Sequence, residues 1–303
     1  MKFLYLLEDI RIPVLNEFML AITTLGEETA FLVIALILFW CVDKYWGYYT
    51  LSVGFVGTIA NQFLKLWFRI PRPWVLDENF TILEQAREAA AGYSFPSGHT
   101  QSAVGTFGSI AYAAKNKTIR YVAILIAALV AFSRMYIGVH TPLDVLVSVV
   151  IGVVLIFTLR PLFLGTKQKY LPLLFAGMAL LAGGFLWFVE FYPFPRDVDA
   201  HNYQSGVNNA YTLLGALLGL ITVYYADEKW LKFPTNAVWW VQIIKVAAGL
   251  VLVLAVKSGT KPILNLLLGE YFGRAVRYFL IVLTAGILWP LTFRWFSMLG
   301  NKE

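Results

Sequence analysis

Long apolar stretches without charge constrain this chain more than any other feature of its sequence. Hydrophobic residues make up 59% of the 303 residues and charged residues only 14%, and the mean hydropathy is +0.69. A soluble domain of this length cannot bury so much apolar surface, whereas about 20 apolar residues suffice for a helix to cross about 30 Å of hydrocarbon. The sequence therefore predicts an integral membrane protein of the all-α class.

Windows of sufficient length predict about nine membrane-spanning helices. Their approximate bounds are 27–42, 47–68, 97–114, 120–138, 142–160, 170–190, 209–226, 237–256 and 276–298. Before them, residues 12–24 predict an amphipathic helix in the membrane interface, because Pro13 can begin a helix and the polar residues 26–28 interrupt a continuous span. The predicted fold is an all-α polytopic transmembrane helical bundle with this N-terminal interfacial helix.

Charge and cysteine content exclude several classes of function. The net charge is +6, but the basic residues are scattered, so nucleic acid is not a predicted partner. The single Cys41 excludes an intrachain disulfide, and with only three histidines in the chain no metal site and no cofactor are predicted. Glu8, Asp9 and Arg11 interrupt the first apolar run, so no signal peptide is expected. The oligomeric state is not determined by the sequence.

The first block that carries chemistry is KLWFRIPRP, residues 65–73. Lys65 and Arg72 are seven residues apart, a spacing that puts both on one stripe of a helix, and Pro71 and Pro73 are expected to end that helix near the interface. Two cations then point to the same place. The alternative is that both side chains only extend from a helix end toward the lipid headgroups.

The second block is PSGH, residues 96–99. Ser97 can cap the helix that follows, which leaves backbone N–H groups free to face an anion. Gly98 lets the backbone approach that anion closely, and His99 falls in the first turn beside it. A proline, serine and glycine are also ordinary residues at a helix start.

The third block is SRMYIGVHTPLD, residues 133–144. Arg134 ends one predicted span, and Thr141 and Pro142 form a cap and first turn for the next. Asp144 follows His140 by four residues, and a carboxylate that accepts one imidazole N–H leaves the other nitrogen unprotonated for attack on phosphorus. Asp144 is also placed to complete a capping box with Thr141, and the two interpretations are compatible.

Counting spans puts all three blocks on one face of the membrane, where they can converge. The positive-inside rule makes the opposite face cytoplasmic, because two short loops there carry six basic residues: Lys115, Lys117, Arg120, Arg160, Lys167 and Lys169. The blocks then lie on the extracytoplasmic or lumenal side. Four basic residues between 257 and 277 fall on the same side as the blocks and oppose this orientation.

Together the three blocks resemble the type 2 phosphatidic acid phosphatase superfamily, whose pattern K-x6-RP, PSGH and SR-x5-H-x3-D is matched throughout. The superfamily includes glucose-6-phosphatase and sphingosine-phosphate phosphatases. The resemblance implies that His140 is the nucleophile, that Asp144 orients it, and that His99 protonates the leaving oxygen. It implies phosphate binding by Lys65, Arg72, Ser97, Gly98 and Arg134, without a metal.

The resemblance covers about residues 45–160, so we divide the chain into a phosphatase core with its interfacial helix, 1–165, and further transmembrane helices of unknown role, 166–303. Within the second part, residues 191–208 are predicted to form a loop on the face of the three blocks.

The sequence thus predicts a metal-independent membrane phosphatase that hydrolyses a phosphomonoester or diphosphate of a lipid through a phospho-histidine. One alternative is a phosphatase for a soluble sugar phosphate, of the glucose-6-phosphatase type. Another is a non-catalytic membrane protein that binds lipid phosphates. A transporter is disfavoured because the charges cluster at one face rather than along a pathway at mid-membrane depth.

Overall fold

The computed structural model describes residues 1–87, 90, 92–196 and 198–299, and within these residues regular structure is entirely helical. The described α-helices are α1 (Lys2–Asp9), α2 (Pro13–Thr23), α3 (Glu28–Ile37), α4 (Lys44–Phe68), α5 (Pro73–Leu76), α6 (Gly98–Ala103), α7 (Ser109–Ala113), α8 (Lys117–Tyr136), α9 (Pro142–Phe163), α10 (Leu171–Phe191), α11 (Ala200–Ala226), α12 (Trp239–Leu268), α13 (Glu270–Leu283) and α14 (Phe293–Met298). One-turn π-helical segments extend several of them, at Leu38–Val42, Val104–Gly108, Asp227–Leu231 and Thr284–Leu288. The prediction of an all-α fold is confirmed.

Six helical stretches of the described chain are long and apolar enough to cross a membrane, and a seventh is added if one bent pair counts as a single span. The stretches are Lys117–Tyr136, Pro142–Phe163, Gln168–Phe191, Ala200–Leu231, Trp239–Leu268 and Glu270–Met298. An integral membrane protein is thus supported, but the predicted count of nine is not confirmed.

Two of the predicted spans, 47–68 and 97–114, are not among these six stretches, and the structure shows why. Helix α4 is 25 residues long, but polar side chains such as Ser52, Asn61 and Gln62 lower its apolar content. Residues 98–113 are helical in three short pieces, with the π-helical turn between α6 and α7.

The predicted N-terminal interfacial helix is not confirmed as a separate element. Helix α2 continues through a 3-10 turn to Gly26, and the stretch Pro13–Gly26 makes an angle of 56° with Glu28–Val42. Together the two stretches are long and apolar enough to cross a membrane, and the bend between them fits either a broken span or a re-entrant loop. The bend falls at the polar residues that were expected to interrupt a continuous span.

The chain forms two compact units that interleave along the sequence. The first unit contains residues 1–32, 52–160 and 194–206, and the second contains residues 33–51, 161–193 and 207–303. The division of the sequence at residue 165 remains a prediction.

In the first unit the N-terminal helices pack against α8 and against the loop before α6. A buried cluster joins Met19 of α2 to Tyr136 and Ile137 at the end of α8. Arg11, in the link between α1 and α2, donates from Nε to the carbonyl oxygen of Tyr136 at 3.0 Å and from Nη1 to that of Thr81 at 2.9 Å. These contacts fix the end of α8, which leads directly into the third sequence block.

In the second unit, a partly buried lysine and a buried lysine are both held by described groups of that unit itself. Lys44 forms an ion pair with the fully buried carboxylate of Asp227 at 2.9 Å. Lys245, inside α12, donates to the carbonyl oxygens of Trp40 at 2.8 Å and Thr235 at 3.1 Å, and its Nζ lies 4.2 Å from the ring centroid of Phe293. Lys245 therefore links α12 to the π-helical turn after α3, to the segment before α12 and to α14.

Candidate active site

His140 lies in the loop between α8 and α9, and each nitrogen of its ring faces a charged group. Its Nε2 is 2.9 Å from Arg72 Nη1, and its Nδ1 is 3.4 Å from Asp144 Oδ2. A guanidinium only donates hydrogen bonds, so Nε2 accepts from Arg72 and the proton of the neutral ring is on Nδ1. Because 3.4 Å is longer than an ordinary N–H···O hydrogen bond, Asp144 orients the ring mainly through its charge. The ring therefore presents an unprotonated Nε2 toward Arg72.

Asp144 is fixed in the first turn of α9 by two further hydrogen bonds to Oδ2. Ser94 Oγ donates at 2.6 Å and the backbone N–H of Thr141 donates at 2.7 Å. In return Thr141 Oγ1 accepts from the backbone N–H of Asp144 at 3.3 Å. The capping box and the contact with His140 therefore exist together, as the sequence allowed.

The two cations of the first block are held by backbone carbonyls. Helix α4 ends at Phe68, Arg69 has a left-handed φ of 51°, and Arg72 lies outside α4 as the residue that precedes α5. The prediction that Lys65 and Arg72 share one helical stripe is therefore wrong, since the chain turns between them. They meet through the loop instead: Lys65 Nζ donates to the carbonyl oxygen of Tyr93, and Arg72 Nε donates to that of Gly92 at 3.0 Å.

Arg134 occupies the last turn of α8 and is completely buried. Its Nη1 donates to Thr23 Oγ1 at 2.7 Å, and its carbonyl oxygen accepts from the backbone N–H of His140 at 3.2 Å. Its Nε and Nη2 have no hydrogen-bond partner among the described residues. The guanidinium thus retains donors for an anion, which is what its predicted role requires.

The second block forms the start of α6 as predicted. Ser97 is the N-cap, and its Oγ accepts from the backbone N–H of Thr100 at 3.4 Å and from Thr100 Oγ1 at 2.9 Å. A Cβ atom built on Gly98 would come no nearer to its neighbours than 3.8 Å, so contacts within the described chain do not by themselves demand glycine there. His99 Nε2 is buried and has no partner among the described groups.

Electrostatics indicate that the predicted cations and histidines are close to one another. Burial lowers the pKa of the His140 imidazole well below its ordinary value, and the charges of Arg72, Arg134, Lys65 and His99 lower it further. Burial also lowers the pKa of the Arg72 guanidinium to about 10, against the opposing effect of Asp144. His140 is therefore neutral and Arg72 charged at neutral pH.

Several groups at this site were missed in the sequence. Ser94 is the partner of Asp144 and Thr23 the partner of Arg134. The carbonyl oxygens of Gly92, Tyr93 and Val139 receive the cations of the first block. No spacing rule could have found them, because each lies at least 20 residues from its partner in sequence.

A cleft with a volume of about 520 Å³ opens beside Arg72. It has an apolar rim with Phe68 and Val75, which are both more than half exposed, and a polar side with Asp199 and Asn202. The predicted loop 191–208 contributes that polar side, although α10 extends to Phe191 and α11 already begins at Ala200. The full lining is Phe68, Arg69, Pro71, Arg72, Val75, Gly92, Tyr93, Val198, Asp199 and Asn202.

Comparison with known proteins decides the family. A model described as the PAP2 superfamily matches residues 45–167, which include all eight predicted site residues. A second model, described as the transmembrane extension of PAP2 superfamily phosphatases, matches residues 211–302. Phosphatidylglycerophosphatase B of Bacillus subtilis (strain 168) is 34% identical over 164 residues, which are 50% of this chain and 76% of that protein. The chain belongs to the PAP2 superfamily.

Other PAP2 relatives match different lengths of the chain. Undecaprenyl-diphosphatase BcrC of Bacillus subtilis (strain 168) is 35% identical over 104 residues, 34% of this chain and 51% of that protein. Sphingosine-1-phosphate phosphatase 1 of Rattus norvegicus is 26% identical over 267 residues, 83% of this chain and 61% of that protein. The chain therefore spans about half to three quarters of the length of these relatives. No solved structure matches the chain.

These matches confirm the predicted family and support, at the level of the family, a hydrolase of phosphate esters or diphosphates. They do not test the role of any single residue. The roles assigned to His140, His99 and Asp144, and to the five phosphate-binding residues, remain predictions.

The absence of a metal and of a cofactor also remains a prediction.

Proposed function

We propose that this PAP2 protein hydrolyses a phosphomonoester or diphosphate of a membrane lipid through a phospho-histidine formed on His140 Nε2. The observation that carries the proposal is the orientation of the His140 ring, with Nε2 toward the guanidinium of Arg72 and Nδ1 toward Asp144. A phosphoryl group held by Arg72 would stand next to the unprotonated nitrogen that attacks it.

The proposed reaction has two steps, and His99 donates a proton in the first and accepts one in the second. In the first, Nε2 of His140 forms a bond to phosphorus as the bond from phosphorus to the leaving oxygen breaks, and His99 gives that oxygen a proton. In the second, a water molecule attacks the phosphorus, His99 takes its proton, and the bond to Nε2 breaks. Free phosphate leaves the site, and both histidines return to their starting protonation states.

Charge stabilisation would come from the chain's own cations. Lys65, Arg72 and Arg134 are each at most 6% exposed, so water screens them little and their attraction for a phosphoryl group is strong. The N-cap position of Ser97 and the small Gly98 would leave backbone N–H groups available to the phosphoryl oxygens. We propose that no metal takes part in either step.

A lipid substrate is favoured by the surroundings of Arg72. The exposed rings of Trp67 and Phe68 and the apolar rim of the cleft would accept a chain that arrives from the bilayer. The names of the relatives point to undecaprenyl diphosphate, phosphatidylglycerophosphate and sphingosine phosphate as substrates to be compared. The exposed hydrophobic residues favour these over a soluble sugar phosphate.

We also propose that α4 and residues 98–113 cross the membrane as two of nine spans. Residues 1–165 would then form the catalytic core.

We further propose that the site faces the extracytoplasmic or lumenal side. Labelling of single cysteines by an impermeant thiol reagent, in a Cys41→Ser background, tests this orientation. Cysteines in the loop 78–83 should react from outside and cysteines near Lys167 only after permeabilisation. Equal labelling of both sets in intact cells would contradict this orientation.

Phosphate release by purified protein in detergent, measured on the three lipid substrates and on glucose phosphate, tests the function. His140→Asn, which keeps a polar side chain of similar reach, is the inactive control. We expect release from at least one lipid by the wild type only. Release from glucose phosphate alone would refute the lipid substrate, and release by His140→Asn at the wild-type rate would refute the mechanism.

A further inference from the structure

Asn61 is a buried amide of the first unit that neither the three sequence blocks nor the mechanism uses. It lies on α4 and is 2% exposed. Neither its Oδ1 nor its Nδ2 has a hydrogen-bond partner among the described residues. A buried polar group without a partner is costly, so a fold that keeps one at this depth calls for an explanation.

The position of Asn61 ties it to the phosphate site. It precedes Lys65 by four residues, so both side chains lie on the same face of α4. Its Oδ1 is 3.8 Å from the point where a Cβ atom on Gly98 would stand. The amide therefore lies between a predicted phosphate-binding cation and a predicted phosphate-binding backbone.

A carboxamide suits this place for a simple electrostatic reason. Lys65, Arg72 and Arg134 already concentrate positive charge in a buried volume, and a further cation would add to their mutual repulsion. An amide adds N–H donors without adding charge, and its oxygen can accept from a protonated phosphate. We propose that Asn61 is a further phosphate-binding residue, whose Nδ2 donates to a phosphoryl oxygen of the substrate; this rests on the proposed function of the same site.

A second buried amide provides a matched comparison. Gln101 of α6 is 3% exposed, and neither amide atom has a partner within the described chain. Its Nε2 lies against Gly57 and Gly152, at 2.5 Å and 3.6 Å from the positions of Cβ atoms built there. Gly57 lies on α4 one helical turn before Asn61, whereas Lys65 lies one turn after it, so the contact of Gln101 with Gly57 is about two turns from Lys65. An amide without a partner therefore does not by itself mark the phosphate site. Of these two described amides, it is Asn61 whose oxygen faces Gly98 and whose helix position is one turn from Lys65.

Two substitutions of similar shape separate a ligand-binding role from a packing role. Asn61→Leu and Gln101→Met each remove a buried unpaired amide, so neither should lower the unfolding midpoint in the absence of phosphate. Only Asn61→Leu should lose most of the rise in midpoint that inorganic phosphate produces. It should also weaken inhibition by vanadate about ten- to a hundredfold, as expected for loss of one hydrogen bond to a charged group.

The measurement is thermal unfolding in detergent across a phosphate titration at constant ionic strength, together with vanadate inhibition. A wild-type response to phosphate and vanadate in Asn61→Leu would overturn the proposal, and so would an equal loss in Gln101→Met. If Asn61→Leu does not fold, Asn61→Asp keeps the shape and replaces the donor by an anion. A wild-type response in Asn61→Asp would then overturn it.

The proposal for Asn61 and the proposed phosphatase function can fail independently of each other. If the wild type lacks phosphatase activity, the proposed function fails, while the phosphate titration still decides whether Asn61 binds phosphate. If the wild type is active and depends on His140, and the Asn61 variants respond to phosphate as the wild type does, only the present inference fails.

Discussion

Removal of Arg134 should sharply reduce the stabilisation of the protein by phosphate. Arg134 is completely buried, and its Nε and Nη2 have no partner among the described residues, so an anion is the group they are placed to bind. A hydrogen bond to a charged group contributes about 1.5–3 kcal/mol, so Arg134→Ala should raise the dissociation constant of phosphate about ten- to a hundredfold.

The size of the effect follows from linkage. At a phosphate concentration of about 100 times the dissociation constant, the wild type gains about 2.7 kcal/mol, and the variant at the same concentration gains only about 0.4–1.4 kcal/mol. At about 2–4 °C per kcal/mol, the midpoint of the wild type should rise by about 5–11 °C and that of Arg134→Ala by about 1–6 °C.

The assay is thermal unfolding in detergent across a phosphate titration at constant ionic strength. Arg134→Ala loses the hydrogen bond to Thr23 and also relieves repulsion between buried cations, so its midpoint without phosphate differs from that of the wild type. The quantity to compare is therefore the rise within each protein. Arg120→Ala is the matched control, because Arg120 lies near the other end of α8 and donates to the carbonyl oxygen of Ala114. If phosphate raises the midpoint equally in all three proteins, the three cations do not form one anion site.

Further predictions concern the histidines, metals and pH. His140→Ala should abolish turnover while the protein stays folded, as judged by its unfolding transition, since positioning alone cannot replace a nucleophile. His99→Ala should lose more activity on an alkyl phosphate than on an aryl phosphate, whose leaving group needs little protonation; equal losses would argue against His99 as the acid. Activity should survive EDTA and be inhibited by low concentrations of vanadate, and strict dependence on added magnesium would disprove the metal-free mechanism. Because burial and neighbouring cations lower the pKa of His140, the unfolded chain binds a proton below about pH 6.5 that the folded chain does not. Stability should therefore fall as pH decreases from about 7 to about 5, and His140→Gln should show a weaker dependence.

The local order of the site could be predicted because it depends on neighbours in sequence. Ser97 caps α6, Pro142 begins α9, and Asp144 faces both Thr141 and His140. Each of these contacts spans at most four residues, within which helix geometry fixes the relative positions of side chains. The apolar stretches likewise predicted an all-helical membrane protein without any knowledge of packing.

The membrane crossings were predicted less well. The polar residues 26–28 predicted an interruption of the chain, but hydropathy windows do not register how a helix bends or breaks. The 56° angle before Glu28 and the π-helical turn at Val104–Gly108 were therefore not predicted. Both features arise from local backbone geometry and packing rather than from apolar content.

What the sequence by itself determined is the chemical inventory of the site: two histidines, one carboxylate and three cations in three blocks. Only the tertiary structure decided which atoms face one another. The loop around Gly92 and Tyr93 brings Lys65 to Arg72, although they do not share a helix face, and the end of α2 supplies Thr23 to Arg134. The same packing leaves the Asn61 amide, beside Gly98, without a hydrogen-bond partner among the residues that the structure describes. Such contacts join residues far apart in sequence, and their geometry depends on how the whole unit packs rather than on any local spacing.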